Sequence, residues 1–284
     1  MKLGLPRVAV LALLALTVAI AQPADAATTW APADAATVHP GVPLIIGDVL
    51  CTTNFVFEDP AGDVYLGSAA HCVGSEVASF DGCRNESLPL GAPVEIGGAS
   101  RPGRLVYSSW LAMQQRNEAD VLSCSFNDFA LVQLHRDDRS RVNPSMPHWG
   151  GPSGLAAGST RGDTAHGYGA GYAERGLNPS PKTGVSLGQR AAGWAHVLDL
   201  RPPAVEGDSG SGVIDSQGRA YGVMSTLSPR RGVNGAADLS RALDYARGSG
   251  FPQLTLVTGT EPFSPTGPTP PNIVETLLRA LLGG

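Results

Sequence analysis

The sequence predicts an all-β chain, a sandwich or barrels, with helix only towards its C-terminal end. Three observations lead there. From residue 44 onward, short apolar and β-branched runs alternate with clusters of turn-forming residues, the pattern of many short strands. The 3.6-residue periodicity of an amphipathic helix is scarce before residue 239. No repeat of fixed period runs through the chain, which sets it apart from solenoids and propellers.

Residues 1–26 read as a secretory signal peptide. Lys2 and Arg7 precede an apolar run over 8–20, and "AQPADAA" follows, with Ala24 and Ala26 forming an A-x-A-like cleavage site ahead of Ala27. About 13 apolar residues fall short of the roughly 20 that span a bilayer, so a membrane anchor is not expected. An extension over 27–43 comes next. The predicted strands then lie in "PLIIGDVL", "TNFVFED", "DVYLGSAA", "GRLVYSSW", "FALVQLH", "GVSLG", "WAHVLDL", "SGVIDS" and "RAYGVMSTL", with Pro60-Ala61-Gly62-Asp63, Asp81-Gly82 and Gln217-Gly218 as turns between them. These runs fall into halves at about 44–142 and 165–250, joined by a Gly/Pro/Ser-rich stretch over 143–164.

Leu239, Ala242, Leu243 and Ala246 have helical spacing, with Gly248 as a stop. Residues 251–272 read as a Pro-rich linker, since five prolines fall within 262–271. An amphipathic helix is predicted over 273–284. Asn272 and Glu275 are spaced as a capping box, and Leu277, Leu278, Leu281 and Leu282 form its apolar stripe. Such a helix docks on the body or on a partner, because Arg279 alone gives little attraction to a membrane surface.

Loss of the signal peptide removes two positive charges and one negative, taking the formal charge from −5 to −6. A mildly acidic exported chain has no electrostatic case for binding nucleic acid. Cys51, Cys72, Cys83 and Cys124 are an even set in an oxidising destination, which implies two disulfides with three possible pairings. Their spacing fits no zinc site, so neither metal nor other cofactor is expected.

Three segments carry chemistry. "VEGDSGSGV" over 205–213 crowds glycines around Asp208, Ser209 and Ser211; "LGSAAHC" over 66–72 sets His71 at a strand end beside a cysteine; "NDFALVQL" over 127–134 puts Asp128 at the head of an apolar strand. Acyl transfer at neutral pH needs these types together. A serine hydroxyl is a weak nucleophile until a neutral imidazole takes its proton, the imidazole needs a carboxylate to set its tautomer, and the oxyanion needs donors. The backbone amides of Gly207 and Ser209 can supply those donors. An α/β-hydrolase elbow is excluded for this serine, because no histidine follows Ser209 and Ser211 replaces the last glycine of that motif.

In the order His71, Asp128, Ser209, the blocks "GSAAHC", "NDFALVQL" and "GDSGSGV" closely resemble those of the trypsin/chymotrypsin-like serine peptidases, especially secreted bacterial members, over roughly residues 49–250. The resemblance implies two antiparallel Greek-key β-barrels followed by a C-terminal helix, the trypsin-like fold. It implies a secreted endopeptidase acting on protein or peptide substrates, with His71 as general base, Asp128 orienting it, Ser209 as nucleophile and Gly207 in the oxyanion hole. It also implies a Cys51–Cys72 disulfide, which leaves Cys83 for Cys124.

The chain departs from that family in two places. Members that mature by cleavage pair a new N-terminal amine with the aspartate before the serine; here the nearest match, "IIGD" at Ile45, lies six residues before Cys51 and follows no Arg or Lys. Asp208 is therefore expected to meet an arginine or stand exposed. The position that selects basic side chains holds Pro203, while Ser225 and Thr226 match the substrate-pairing edge and Leu227 narrows the pocket. A small or medium apolar side chain is the expected preference. Two other classes fit the same residues: a trypsin-fold binding protein with little or no turnover, and an acyl hydrolase of non-peptide substrates.

Overall fold

The computed structural model describes residues 29–74, 81–171, 180–228 and 232–265. The expected signal peptide, residues 266–272 of the expected linker and the terminal helix lie outside the described residues, whereas residues 251–265 of that linker are described and include a short strand paired with the first sheet. Every run named above carries a strand. The first half holds β1 (Pro43–Ile46), β2 (Val49–Thr52), β3 (Val56–Glu58), β4 (Val64–Ser68), β5 (Pro93–Ile96), β6 (Gly103–Ser108) and β7 (Ala130–Gln133), with α1 (Ser109–Gln115) and α2 (Val121–Phe126) between β6 and β7. The second holds β8 (Gly154–Leu155), β9 (Thr164–Gly169), β10 (Ser180–Arg190), β11 (Ala195–Arg201), β12 (Gly212–Asp215), β13 (Arg219–Ser228), β14 (Val233–Asp238) and α3 (Leu239–Gly248), and β15 (Thr255–Leu256) returns to the first sheet.

In the second half, β12, β9, β10, β11, β14 and β13 lie in that order, and pairing of β12 with β13 closes them into a six-stranded barrel. β9 to β11 are consecutive neighbours and β12 returns beside β9, which is a Greek key. In the first half the order is β15, β3, β4, β7, β6, β5, β1, β2, a curled antiparallel sheet whose two ends do not pair. The last residue of β2 explains part of this: the Thr52 N–H donates to Ser209 O at 2.8 Å, across to the other half.

Each half has its own apolar core. Leu44, Val56, Leu66, Leu105 and Val132 are fully buried in the first, and Leu198, Val213, Tyr221 and Met224 are buried in the second. A third cluster joins Phe55, Phe57, Phe129 and Leu131 of the first sheet to Ile214 and Val223 of the barrel and to Leu239, Ala242 and Ala246 of α3. This shared core fixes the two halves against each other.

α3 forms where its spacing predicts, with the Asp238 side chain accepting from Arg241 N at 2.8 Å as its N-cap. The expectation that helix is confined to the late chain is overturned by α1 and α2. At seven and six residues they complete too few turns to leave a periodic signature. α2 is set by the Asp120 side chain, which accepts from Ser123 N at 3.0 Å.

Candidate active site

His71 lies in a 3-10 turn over Ala70–Val73 directly after β4. The turn is anchored at its next residue by a Cys51–Cys72 disulfide to β2, and a second disulfide joins Cys83 to Cys124 of α2. The first is the pairing the resemblance implies, and the second is the remainder it leaves. Cys51, His71 and Cys72 cluster closely, as do Asp81, Cys83 and Cys124, but disulfide sulfurs are not the thiolates a metal needs.

Asp128 holds His71 twice. Its carboxylate accepts the His71 backbone N–H at 2.9 Å and meets the ring Nδ1 at 2.7 Å. An ionised carboxylate only accepts, so Nδ1 carries the proton and Nε2 is left as the basic nitrogen. Burial lowers the basicity of the His71 ring, and the Asp128 charge and hydrogen bond more than reverse this, leaving its pKa above the ordinary 6.5. Burial likewise pushes Asp128 up, but the His71 charge and the bonds from His71 and Ser225 hold it below the usual carboxylate range.

Two side chains position Asp128 through contacts that sequence reasoning missed. Ser225 was expected to bind substrate through its backbone, yet its hydroxyl donates to Asp128 Oδ2 at 2.5 Å. A bulge between Met224 and Thr226 lifts Ser225 out of the ladder and frees it for this contact. Ser109 brackets the aspartate: its Oγ donates to Asn127 O at 2.6 Å and accepts from Phe129 N at 3.1 Å.

Ser209 reaches the same wall through its backbone. Besides the Thr52 bond to Ser209 O, the Gly210 N–H donates to Met224 O at 2.7 Å. Gly210 has φ +88°, and a Cβ there would lie 2.1 Å from Ser68 Oγ and 2.9 Å from Ala69 N, so only glycine brings the loop this close to the chain leading into His71. Ser211, by contrast, is buried at 1% exposure while Ser209 is half-buried, which separates the two serines. Among the described residues, the Ser209 hydroxyl and His71 Nε2 make no hydrogen bond to each other.

The loop's amides alternate. Those of Asp208, Gly210 and Ser211 donate to Val205 O, Met224 O and Asp208 O at 3.0, 2.7 and 3.0 Å. Those of Gly207 and Ser209 have no acceptor among the described residues. Gly207 takes φ +92°, and its carbonyl is drawn off by the Thr52 hydroxyl at 2.7 Å. Among the described residues, two N–H groups without an acceptor thus flank Asp208.

Asp208 itself corrects the sequence expectation. It is fully buried, Lys182 Nζ of β10 lies 3.2 Å from its carboxylate, and among the described residues no arginine pairs with it. Ile45 of "IIGD" sits inside β1, paired with Leu50 on one side and Glu95 on the other, so it is a strand residue and not a chain terminus.

The remaining predicted positions are more scattered. Pro203 is exposed just beyond β11, Thr226 is half-buried, and Leu227 is 41% exposed near the end of β13. Across from Leu227 in register stands buried Asn234. Its side-chain amide donates to Ala204 O and its oxygen accepts from Ala204 N, both at 3.0 Å, tying β14 to the strand end ahead of Gly207.

No family model matches the sequence, and no curated protein is similar enough in sequence to match. Solved structures do match. The crystal structure of Thermobifida fusca Protease A superposes with a TM-score of 0.50 at 18% identity, over 79% of this chain and 100% of that one. The chain has the chymotrypsin-like fold. Two further structures align at lower scores. Nocardiopsis protease gives 0.47 at 17% identity over 77% of this chain and 98% of its own, and Cellulomonas bogoriensis chymotrypsin gives 0.46 at 18% over 78% and 98%. In the chymotrypsin-like fold the two halves meet along one cleft, and here His71 and Asp128 come from the first half while Ser209, Gly207 and Ser225 come from the second.

Proposed function

We propose that this chain is a secreted serine endopeptidase that cleaves protein or peptide substrates through an acyl-enzyme, with His71, Asp128 and Ser209 as its triad. The observation that carries the reading is the pair of amides at Gly207 and Ser209 that find no acceptor among the described residues, on a loop that packs through Gly210 against the chain leading into a histidine whose Nδ1 is already committed to a buried carboxylate. Ser209 Oγ attacks the scissile carbonyl carbon as its proton passes to His71 Nε2. The carbonyl oxygen becomes an oxyanion held by the two amides, and Asp128 stabilises the imidazolium. Collapse breaks the C–N bond, with His71 returning the proton to the departing amine. Water, deprotonated by the same Nε2, then releases the acid and restores Ser209.

Export follows from the signal-peptide reading of residues 1–26. Two disulfides fit an oxidising compartment, and no helix among the described residues is long and apolar enough to cross a membrane. Pro203 offers no charge for a basic side chain, and Leu227, 41% exposed, stands at the position where the resembled family has a small pocket-lining residue, which favours a small or medium apolar residue before the cleaved bond. A second reading, a trypsin-fold binding protein with weak or no turnover, draws on the open Ser209–His71 contact; such contacts are often loose without substrate. Digestion of an unfolded protein, with products identified by mass spectrometry, separates the two. The endopeptidase reading expects internal cleavages that vanish in Ser209→Ala, whereas intact substrate bound equally by both forms would favour the binding protein.

A further inference from the structure

On the side of the molecule that carries α1 and α3, a groove of about 540 Å³ crosses from one half to the other. It is lined by Arg116 at the end of α1, by Trp194 just after a turn over Ala191–Gly193, and by Arg241, Asp244 and Tyr245 on α3. Each arginine sits over a ring. The Arg241 guanidinium lies 5.5 Å from the centroid of Trp194, and that of Arg116 lies 5.5 Å from the centroid of Tyr245. The two rings meet edge to face at 6.3 Å, so the stacks form one unit. A Cβ at Gly193 would lie 3.1 Å from Arg241 Nη2, and the chain passes there at φ +90°, which clears a place for the guanidinium. A guanidinium seated on a ring still has N–H groups directed away from it, and these match the two oxygens of a carboxylate.

Among the described residues, the Arg241 guanidinium makes no hydrogen bond and meets no carboxylate, and Arg116 spends one nitrogen, Nη1, on Gly248 O. The acids nearby are already committed. Asp244 is paired with Arg247 at 2.8 Å, while Glu118 accepts from the Tyr245 hydroxyl at 3.0 Å and from Ala119 N and Asp120 N at 2.9 and 3.0 Å. Two arginines without a carboxylate thus share one groove on a chain whose formal charge is −5. A guanidinium covers one face of each ring, which leaves little bare ring for a sugar or a base to stack on, and a dense polyanion would meet Asp244 and Glu118 as well. A polypeptide whose side-chain carboxylates reach the arginines singly avoids both penalties. Trp, Tyr and Arg are also the residues that dominate binding between proteins. α1 packs on the His71 turn, and the Ala191–Gly193 turn packs on α2, whose C-cap Asn127 precedes Asp128, so the groove backs onto elements that carry the cleft residues. We propose that this groove binds an acidic stretch of a protein substrate, away from the bond that is cleaved, with Arg241 and Arg116 gripping its carboxylates over Trp194 and Tyr245. The step from groove to substrate rests on the hydrolytic reading given above.

The test has a binding arm and a kinetic arm. Titration calorimetry of the full chain carrying Ser209→Ala with a capped hexaglutamate peptide should give saturable binding that weakens as salt is raised, and capped hexaglutamine should give none. Arg241→Gln should weaken the affinity about tenfold or more, the effect of losing a charge-assisted pair. Arg116→Gln should do the same, and Arg241→Lys should retain part of the affinity. Arg104→Gln removes an exposed arginine of β6 whose side chain has no partner among the described residues; it should change the affinity less than about twofold, which a diffuse attraction would not predict. Should Arg116→Gln not fold for want of its bond to Gly248 O, Arg241→Gln decides alone. In the active chain, a peptide found to be cleaved should show a KM about tenfold lower when extended at one end by hexaglutamate than by hexaglutamine, with kcat alike, and Arg241→Gln should close the gap. Equal binding of the two hexapeptides, no binding of hexaglutamate at millimolar concentration, or unchanged affinity in folded Arg241→Gln would overturn the proposal. So would a groove that takes dextran sulfate and not hexaglutamate, or binding of hexaglutamate with no difference in KM at either end. Absence of any cleavage would instead overturn the hydrolytic reading, while calorimetry would still judge the groove.

Discussion

Among the described residues there are two Ser-His-Asp constellations, one in the cleft and one inside the second barrel. In the barrel, His196 Nε2 lies 2.9 Å from Asp238 Oδ2 and its Nδ1 lies 2.9 Å from Ser159 Oγ. By side-chain contacts this set is more complete than the one at the cleft. It is also sealed: His196 is 0% exposed, Asp238 2% and Ser159 5%. Its members have other work, since Ser159 also meets Ser186 Oγ at 2.9 Å and Asp238 caps α3. The cleft set has a half-buried serine and two amides that find no acceptor among the described residues. The difference teaches that residue types and hydrogen bonds alone do not make a nucleophile; access and unspent donors for the oxyanion do.

The sharpest way to break this comparison is to remove the base from each set. His71→Ala should lower kcat/KM on the order of 10⁶-fold in a peptide-ester assay, while His196→Asn should leave kcat/KM of the folded fraction within a few-fold and lower the melting temperature. Equal activity losses from the two would contradict the account. Next in size are the carboxylates. Asp128→Asn should cost roughly 10⁴-fold in kcat by admitting the wrong tautomer. Asp238→Asn should cost about 1 kcal/mol of stability or more through the buried His196 contact, read by denaturant unfolding. Ser225→Ala is a smaller probe of the same idea. Loss of one donor to Asp128 should reduce kcat about tenfold and leave KM nearly unchanged, in steady-state kinetics.

The pH profile gives the finest test. His71 must be neutral to act as base, and its pKa lies above 6.5, so kcat/KM should fall as pH drops through a value above 6.5. The stability term of the pair runs the other way: the gain from protonated His71 beside Asp128 is complete below the unfolded value of about 6.5 and is lost as pH rises through the folded one. His166 behaves oppositely. Packed against Trp149 at 4.4 Å, its pKa is pulled down to about 4, chiefly by burial, with His148 adding to the shift and Asp215 opposing it. Its contribution is present above about 6.5 and is lost as pH falls towards 4. His166→Gln should flatten that part of an acid-unfolding curve while leaving the activity profile in place.

Much of the fold was legible because its strands carry β-branched and aromatic residues between turns. β9 ("TAHGYG") and β14 ("VNGAAD") were not, because small residues serve there for close approach. Gly235 lies under Thr226, whose Oγ1 would be 2.2 Å from a Cβ at that position, so the strand is selected by its neighbour's shape and not by its own hydrophobicity. The residues at the cleft were legible as three blocks, each short and local. Their supports were not. Lys182 is in register with Gly167 on β9 and reaches Asp208 through the barrel wall, a contact set by strand pairing that no spacing in the sequence encodes. Thr52 and Ser225 act by turning side chains across the seam between the halves, which depends on how the two sheets meet.

The central claim is that reactivity belongs to the cleft serine alone, and covalent labelling tests it most directly. After exposure to an organophosphorus serine probe, intact mass and peptide mapping should find one adduct, on Ser209, absent from His71→Ala, with Ser159 and Ser211 unmodified. A folded protein that takes up no adduct, or an adduct on Ser209 that forms equally fast in His71→Ala, would contradict the account.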